Sequence, residues 1–215
     1  MTALLTKLAQ EFVQAQLAGD RRAALMLVAN GVSNGLSVAD IQQHVIRAAQ
    51  EEIGRLWQMN SISIAQEHLA TGISQIALAR LFDYAPAVPN NGKLVYLACV
   101  QGEQHDLPAR LVADYLDHGG FTVRYFGPDV PTHDLVGSIR NKTPDLLALS
   151  VTMSFNVGAL RSAVRQVRLV APELPIAVGG HAVRWSEGVL VELGVKTAPS
   201  DPASLIAFAR EMVGL

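Results

Sequence analysis

The 215-residue sequence contains a single cysteine, Cys99, and little charge of either sign. One cysteine excludes an intramolecular disulfide framework and is typical of proteins from a reducing compartment. Lysine and arginine together number 17, against 19 aspartates and glutamates, and the net charge is −2. The basic residues form no tail or cluster. Because phosphate contacts dominate the affinity of proteins for nucleic acid, this charge balance argues against direct DNA binding.

Long apolar runs are also missing. No segment approaches the roughly 18 uninterrupted apolar residues of a membrane span, and residues 1–8 show no apolar core of a signal peptide. Hydrophobic residues nevertheless make up 50% of the chain and charged residues only 17%. We therefore expect a cytoplasmic protein without membrane contacts that buries a large apolar core.

The first part of the chain has the apolar period of helices. Ser37 is a typical helix cap, because Asp40 follows it three residues later and an apolar pattern begins between them. Helices with short connections predict a four-helix bundle over residues 1–85. The helical pattern occurs in four segments, around residues 4–13, 25–28, 38–57 and 63–84.

Residues 86–92 include two prolines, two asparagines and a glycine, which is typical of a linker. Beyond it, short apolar runs alternate with helical patterns, and this alternation predicts parallel strands with helices between them. We expect residues 93–215 to form a flavodoxin-like, doubly wound, parallel five-stranded sheet, so that the chain as a whole is α/β. The candidate strands are residues 93–100, 121–126, 145–151, 175–178 and a short one near 195.

Three predicted strand ends carry residues suited to binding a ligand, and strand ends of this kind gather at one edge of the sheet. A histidine two residues after a carboxylate suits a metal ligand whose second ring nitrogen is held by the acid. Serine and threonine hydroxyls can hydrogen-bond to a large ligand, and glycine lets it approach the backbone closely. The residues are Glu103 and His105 after the first strand, Ser150 and Thr152 at the third, and Gly179, Gly180 and His181 after the fourth.

In this order the residues resemble the cobalamin-binding module shared by methionine synthase, corrinoid methyltransferase subunits and certain mutases. The resemblance implies that His105 is the lower axial ligand of cobalt and that Glu103 holds its other nitrogen. It also implies that the nucleotide tail of the cofactor passes Ser150 and the glycine pair. Pro108 stands where the family usually has glycine. The candidate cofactor-binding residues in this part are Glu103, His105, Asp106, Leu107, Ser150, Thr152, Gly179, Gly180 and His181.

A second pattern lies in the helical part, where Trp57 is followed after nine residues by Glu67 and His68. On its own, this spacing would be explained by a buried tryptophan and a surface Glu-His pair. It is, however, similar to the signature of CarH-type adenosylcobalamin photoreceptors. That resemblance implies that the bundle caps the upper face of the corrin, that these three side chains surround the adenosyl group, and that light releases this group.

Two departures from the CarH-type pattern bear on function. The sequence shows no MerR-like DNA-binding segment before the bundle, so we expect no promoter binding by this chain alone. Gln58 follows Trp57, where many of those photoreceptors have a histidine that takes the upper cobalt position after light. Water or hydroxide is therefore the simpler upper ligand after photolysis, and His44 and His68 are the alternative histidines.

Four interpretations of the function remain open on the sequence alone. The first is a light sensor that binds adenosylcobalamin and changes its association with itself or with a partner regulatory protein; this is not an enzyme in the ordinary sense. The second is a corrinoid protein that carries a methyl group between methyltransferases, with methylcobalamin or hydroxocobalamin bound. The third is a haem-binding or anti-repressor relative, and the last is a plain interaction domain.

Overall fold

The computed structural model of the chain describes residues 2–215 and separates into two compact units. One unit ends at Pro86 and the other begins at Ala87. Within the described residues, no helix combines the length and the apolar character that crossing a membrane requires.

The first unit is helical, as the sequence predicts. Ser37 and Ser63 begin two of its helices by accepting backbone N–H groups of Asp40 and Gln66, which satisfies donors that a helix start otherwise leaves unpaired. Apolar side chains that recur at helical spacing, such as Phe12, form its core. The helices are α1 (Thr2–Leu17), α2 (Arg21–Ser33), α3 (Val38–Ile41), α4 (Arg47–Gln58) and α5 (Ile64–Phe82).

A π-helical turn, Gln42–Ile46, joins α3 and α4 into one continuous helix. In it the N–H group of Arg47 donates to the carbonyl of Gln42, five residues back. With this turn counted, the unit has the four helical segments of the predicted bundle. The sequence predicts an uninterrupted α-helix here, because the apolar period continues through Val45 and Ala49 and carries no sign of the wider turn.

The second unit is a parallel sheet with helices on both faces, which confirms the predicted α/β fold. The strand order β2-β1-β3-β4-β5 is the flavodoxin-like order. The strands are β1 (Leu94–Cys99), β2 (Thr122–Tyr125), β3 (Leu146–Ser150), β4 (Ile176–Gly179) and β5 (Lys196–Thr197). The helices are α6 (Leu107–His118), α7 (Thr132–Asn141), α8 (Val157–Val170), α9 (Glu187–Leu193) and α10 (Pro202–Met212).

The two faces of this sheet differ in the size of their side chains. On one face, large apolar residues of β1 and β3, such as Tyr96 and Leu149, pack against α7 and α8. On the other face, Leu97 and Cys99 pack against Ala109 and Ala113 of α6. Cys99 is fully buried, as expected for a small core residue, and burial raises the pKa of its thiol to about 12.

Candidate functional site

The crevice between β1 and β3 positions the candidate site of the sheet unit. β1 and β3 are hydrogen-bonded neighbours, although β2 lies between them in the chain and on the other side of β1 in the sheet. The connections after β1 and β3 therefore leave the sheet in opposite directions and open a crevice at its carboxyl edge, where ligands of such folds bind. Glu103 and His105 follow β1 here, and Thr152 and Met153 follow β3.

Glu103 is completely buried, and both of its carboxylate oxygens accept hydrogen bonds. Oε1 accepts the backbone N–H of His105 at 3.0 Å and lies 2.6 Å from Nδ1 of the same residue. Oε2 accepts the backbone N–H groups of Thr152 and Met153, each at 2.9 Å, and the side-chain amide of Asn156 at 3.0 Å. One side chain after β1 thus binds the loop after β3.

These donors keep Glu103 ionised. Burial by itself raises the pKa of this carboxyl group, but the hydrogen bonds from His105, Met153 and Asn156 outweigh it and lower the pKa to about 2. An ionised carboxylate only accepts hydrogen bonds. Nδ1 of His105 therefore carries the proton in the 2.6 Å contact.

The imidazole ring of His105 is fixed in orientation and yet accessible from outside. Its side chain is 54% exposed, whereas the Glu103 side chain that holds it is 0% exposed. Because Nδ1 is engaged with Glu103, coordination of a metal by this ring would use Nε2. This is the arrangement that the family resemblance implies, and it is typical of histidine ligands whose second nitrogen is held by a carboxylate.

The residues after His105 begin α6. Asp106 is buried at the N-cap position of α6, where its carboxylate lies 3.4 Å from the Tyr125 hydroxyl and 3.6 Å from the Arg110 guanidinium. Leu107 is buried. Pro108 lies in the first helical turn, where its missing N–H group is of no consequence.

Ser150 and Thr152 lie at the end of β3. Ser150 is buried and is registered between Cys99 of β1 and Gly179 of β4. Registered neighbours point to the same side of a sheet, so Ser150 lies on the face covered by α6. The Thr152 hydroxyl oxygen is buried and, within the described residues, has no hydrogen-bond partner. A buried polar atom without a partner is costly, and a bound ligand would satisfy it.

The glycine pair after β4 has two separate explanations. Gly180 has φ of +100°, and a Cβ atom there would lie 2.2 Å from the Val151 carbonyl oxygen, so the backbone itself requires glycine. Around Gly179 an added Cβ would meet just one side-chain atom, the Cβ of Ala198 at 4.0 Å. Gly179 is therefore the member of the pair that leaves space. His181 is exposed and begins a short 3-10 helix, His181–Trp185.

The other three candidates lie in the helical unit, at neighbouring ends of two helices. Trp57 is at the end of α4 and is 43% exposed, so the simple explanation of a buried tryptophan is wrong. Glu67 and His68 lie in the first turns of α5. The Glu67 side chain is 25% exposed and the His68 side chain 71%, and Glu67 Oε2 lies 3.6 Å from His68 Nε2.

Two residues that support Glu103 and its loop, Asn156 and Asp129, were not identified from the sequence. Asn156 bridges the Glu103 carboxylate and the carbonyl of Gly102. Asp129, at φ of +51°, accepts the N–H group of Gly102 and the side-chain amide of Gln104, and its own N–H group donates to the carbonyl of Glu103. Neither residue lies in a motif, because each joins the site from a different loop.

The donor set at this edge fits a metal that is already held by a macrocycle. In residues 2–215 no group of three or more histidine, cysteine, aspartate or glutamate side chains is placed to hold a metal ion. A single anchored imidazole, His105, could supply one ligand to such a metal, because the macrocycle supplies the others. The unpartnered hydroxyl of Thr152 and the space at Gly179 suit the polar periphery of such a cofactor.

Comparison with known proteins points to the same cofactor. A family model described as B12 binding domain matches residues 93–198, and a second B12 binding domain model matches residues 8–81. The HTH-type transcriptional repressor CarH of Myxococcus xanthus is 32% identical over 146 residues, which make up 67% of this chain and 48% of that protein.

Two corrinoid proteins are also similar. The methanol–corrinoid protein of Methanosarcina barkeri is 25% identical over 123 residues, or 57% of this chain and 48% of that one. The chain thus spans about half the length of these curated relatives. The solved structure of the Methanosarcina barkeri monomethylamine corrinoid protein has the same fold, with a TM-score of 0.83 over 95% of this chain and 98% of that one, at 18% identity.

Both units of the chain are therefore matched by B12-binding models, and the sheet unit carries an anchored histidine at its carboxyl edge. The chain belongs to the B12-binding domain family, close to its CarH-type members.

Proposed function

We propose that this cobalamin-binding protein is a light sensor that holds adenosylcobalamin with His105 as the lower axial ligand. The observation that carries the axial assignment is the 2.6 Å contact between His105 Nδ1 and the buried Glu103 carboxylate. That carboxylate fixes the ring and its proton, which directs Nε2 outward and raises its basicity as a ligand. Ser150 and Gly179 would border the nucleotide tail.

The helical unit would contribute the contacts to the upper ligand. The exposed Trp57 ring and the Glu67 carboxylate offer an apolar surface and a hydrogen-bond acceptor, which together suit an adenosyl group. When bound, the cofactor supplies a cobalt–carbon bond that visible light breaks. A methyl ligand is too small to need both side chains, so we favour the adenosyl form.

The signal would be a change in protein association. A ligand shifts a conformational equilibrium only through unequal contacts with two states. Loss of the adenosyl group would remove its contacts with Trp57 and Glu67, and the helical unit would then present a different surface to a second copy or to a regulatory partner. A cytoplasmic location is part of this proposal, and the free thiol of Cys99 is consistent with it.

The axial assignment is tested by His105→Ala, with His133→Ala as a matched control on the exposed surface of α7. Each protein is mixed with adenosylcobalamin in the dark and desalted, and its visible spectrum and elution volume are recorded before and after green light. We expect the wild type and His133→Ala to retain a base-off, histidine-ligated spectrum that converts on illumination, with a shift in elution volume. His105→Ala should lose that spectrum.

An unchanged cobalt spectrum in His105→Ala would disprove the axial assignment. Retained cofactor that converts in light without any change in elution volume, alone or with a partner present, would disprove signalling through association.

The second candidate is a methyl carrier, and the similarity to the methanol–corrinoid protein favours it. The same desalting experiment distinguishes the two functions. Retention of methylcobalamin together with rejection of adenosylcobalamin would support the carrier. Both matched family models describe B12 binding, so haem is not supported as the ligand.

A further inference from the structure

A chain of polar side chains runs through the interior of the helical unit and ends at Glu67. Interior positions of a helical bundle are normally apolar, yet Gln16 is 1% exposed and Ser74 is 0% exposed. We call this hydrogen-bonded series of four side chains the polar relay. Its members are Gln16 of α1, Gln50 of α4, and Thr71 and Ser74 of α5.

The outer half of the polar relay holds the Glu67 carboxylate. The Thr71 hydroxyl, one helical turn after Glu67, donates to Glu67 Oε1 at 2.8 Å. Gln50 Nε2 donates in turn to the Thr71 hydroxyl oxygen at 2.7 Å. One carboxylate oxygen of Glu67 is therefore bound to the interior, while the other, Oε2, lies toward His68 at the surface.

The inner half fixes Gln50. Its Oε1 accepts the Ser74 hydroxyl at 3.1 Å and Gln16 Nε2 at 3.2 Å. Gln16 Nε2 also lies 2.9 Å from the Ser74 hydroxyl oxygen and 2.8 Å from the carbonyl of Ala70, so its two N–H groups are shared among three acceptors. The polar relay thus connects α1, α4 and α5 through side chains alone.

Two properties of the polar relay indicate a role beyond packing. From Ser74 through Gln50 and Thr71, each donor points toward Glu67, so each hydrogen bond polarises the next and the series ends on a carboxylate that accepts. The inner end is not fully satisfied, because Gln16 Oε1 is buried and has no hydrogen-bond partner within the described residues. An apolar core would avoid that cost.

We infer that Thr71 and Gln50, backed by Gln16 and Ser74, are positioning residues that orient the Glu67 carboxylate toward the upper ligand of cobalamin. This inference rests on the proposed function, in which Glu67 contacts the adenosyl group. It follows that discrimination between adenosylcobalamin and methylcobalamin depends on the polar relay, since a methyl ligand makes no contact that requires Glu67.

The test compares Thr71→Val, which removes the hydroxyl group and keeps the shape, with Thr71→Ser, which keeps the hydroxyl group. Thr6→Val on the exposed surface of α1 is the matched control. Dissociation constants for adenosylcobalamin and methylcobalamin are measured in the dark on the full chain. We expect Thr71→Val to weaken adenosylcobalamin binding by about fivefold, the effect of losing one net hydrogen bond of about 1 kcal/mol. Methylcobalamin affinity should be unchanged. The selectivity, defined as the dissociation constant of methylcobalamin divided by that of adenosylcobalamin, should therefore fall in Thr71→Val and return to the wild-type value in Thr71→Ser.

A second pair checks the inner half of the polar relay. Gln16→Met should lower the selectivity for adenosylcobalamin over methylcobalamin. Gln14→Met, two residues away on the exposed side of α1, should leave this selectivity unchanged. If the wild type binds adenosylcobalamin but the variants bind both cobalamins equally more weakly, or keep the wild-type selectivity, the inference alone is overturned. A wild type that does not retain adenosylcobalamin would overturn the proposed function and this inference with it.

Discussion

Each unit contains one glutamate with hydrogen-bonded carboxylate oxygens, Glu103 in the sheet unit and Glu67 in the helical unit, and the two carboxylates are held in very different ways. Glu103 has a fully buried side chain and accepts from His105, Thr152, Met153 and Asn156, with three of these hydrogen bonds coming from backbone N–H groups. Glu67 has a side chain that is 25% exposed, and it accepts from the Thr71 hydroxyl.

The difference indicates which of the two carboxylates is built to stay fixed. Backbone donors move only if the loops move, so Glu103 and the ring that it holds are preorganised. Side-chain donors can change rotamer, so the surroundings of Glu67 can adapt to the presence or loss of a ligand. A lower ligand that stays in place and an upper ligand that leaves would require this division.

The largest effect is expected where the fixed carboxylate loses its charge. Glu103→Gln places an amide N–H group against other donors in a buried site. We expect the free energy of unfolding at pH 7 to fall by on the order of 3 kcal/mol. Urea unfolding followed by circular dichroism measures the change. Glu173→Gln, at an exposed position of the same unit, is the control. A loss no larger than the control would show that the buried network does not stabilise the loops.

Acid should remove the same contribution from the wild type. The pKa of Glu103 is about 2 in the folded protein, below the ordinary 4.5. Its stabilisation is therefore fully present above pH 4.5 and is lost as the pH falls toward 2. The difference in unfolding free energy between the wild type and Glu103→Gln should shrink across this window. A constant difference would contradict the low pKa.

A smaller loss of stability is expected from a change in the backbone of the loop after β4, in the same unit as Glu103. Gly180→Ala introduces a Cβ atom against the Val151 carbonyl at a φ of +100°, and strain of this kind costs about 2 kcal/mol. Gly188→Ala, in α9 with open space around it, is the control and should not destabilise. Equal stability of the two variants in urea would mean that the loop after β4 relaxes freely.

The smallest effect on stability is expected at the adaptable carboxylate. Glu67→Gln keeps an oxygen for the Thr71 hydroxyl, so the unfolding free energy should change by less than about 0.5 kcal/mol. The measurement is the same urea titration that is applied to Glu103→Gln. A loss as large as in that variant would remove the distinction between the two glutamates.

The sequence is informative where the chemistry is local and uninformative where it is distant. The strand before Glu103 and the helix after it were predictable, because apolar runs and turn residues lie next to one another in the chain. The spacing from Glu103 to His105 is equally local. Asn156 lies 53 residues from its partner Glu103, and the donors of Thr152 and Met153 are backbone groups that any residue type carries.

The polar relay was hidden for another reason. Glutamine is mostly a surface residue, so residue type alone gives no reason to expect Gln16 and Gln50 inside the bundle. In the structure Gln16 is buried and Gln50 is half-buried, and they bind each other and Ser74. Only the packing of three helices reveals this, since no two neighbouring residues of one segment signal it.

The π turn at Gln42–Ile46 makes its helix unusual in its tolerance of length changes. A π turn holds one residue more than an α turn, so shortening it by one position regularises the helix and keeps the side chains of α4 in phase. The same deletion within α4 would rotate the side chains on one side of it by about 100° relative to the others and separate Gln50 from Thr71. A codon lost near the exposed His44 is therefore one that this helix can absorb, whereas a codon lost about one turn later, before Gln50, is not.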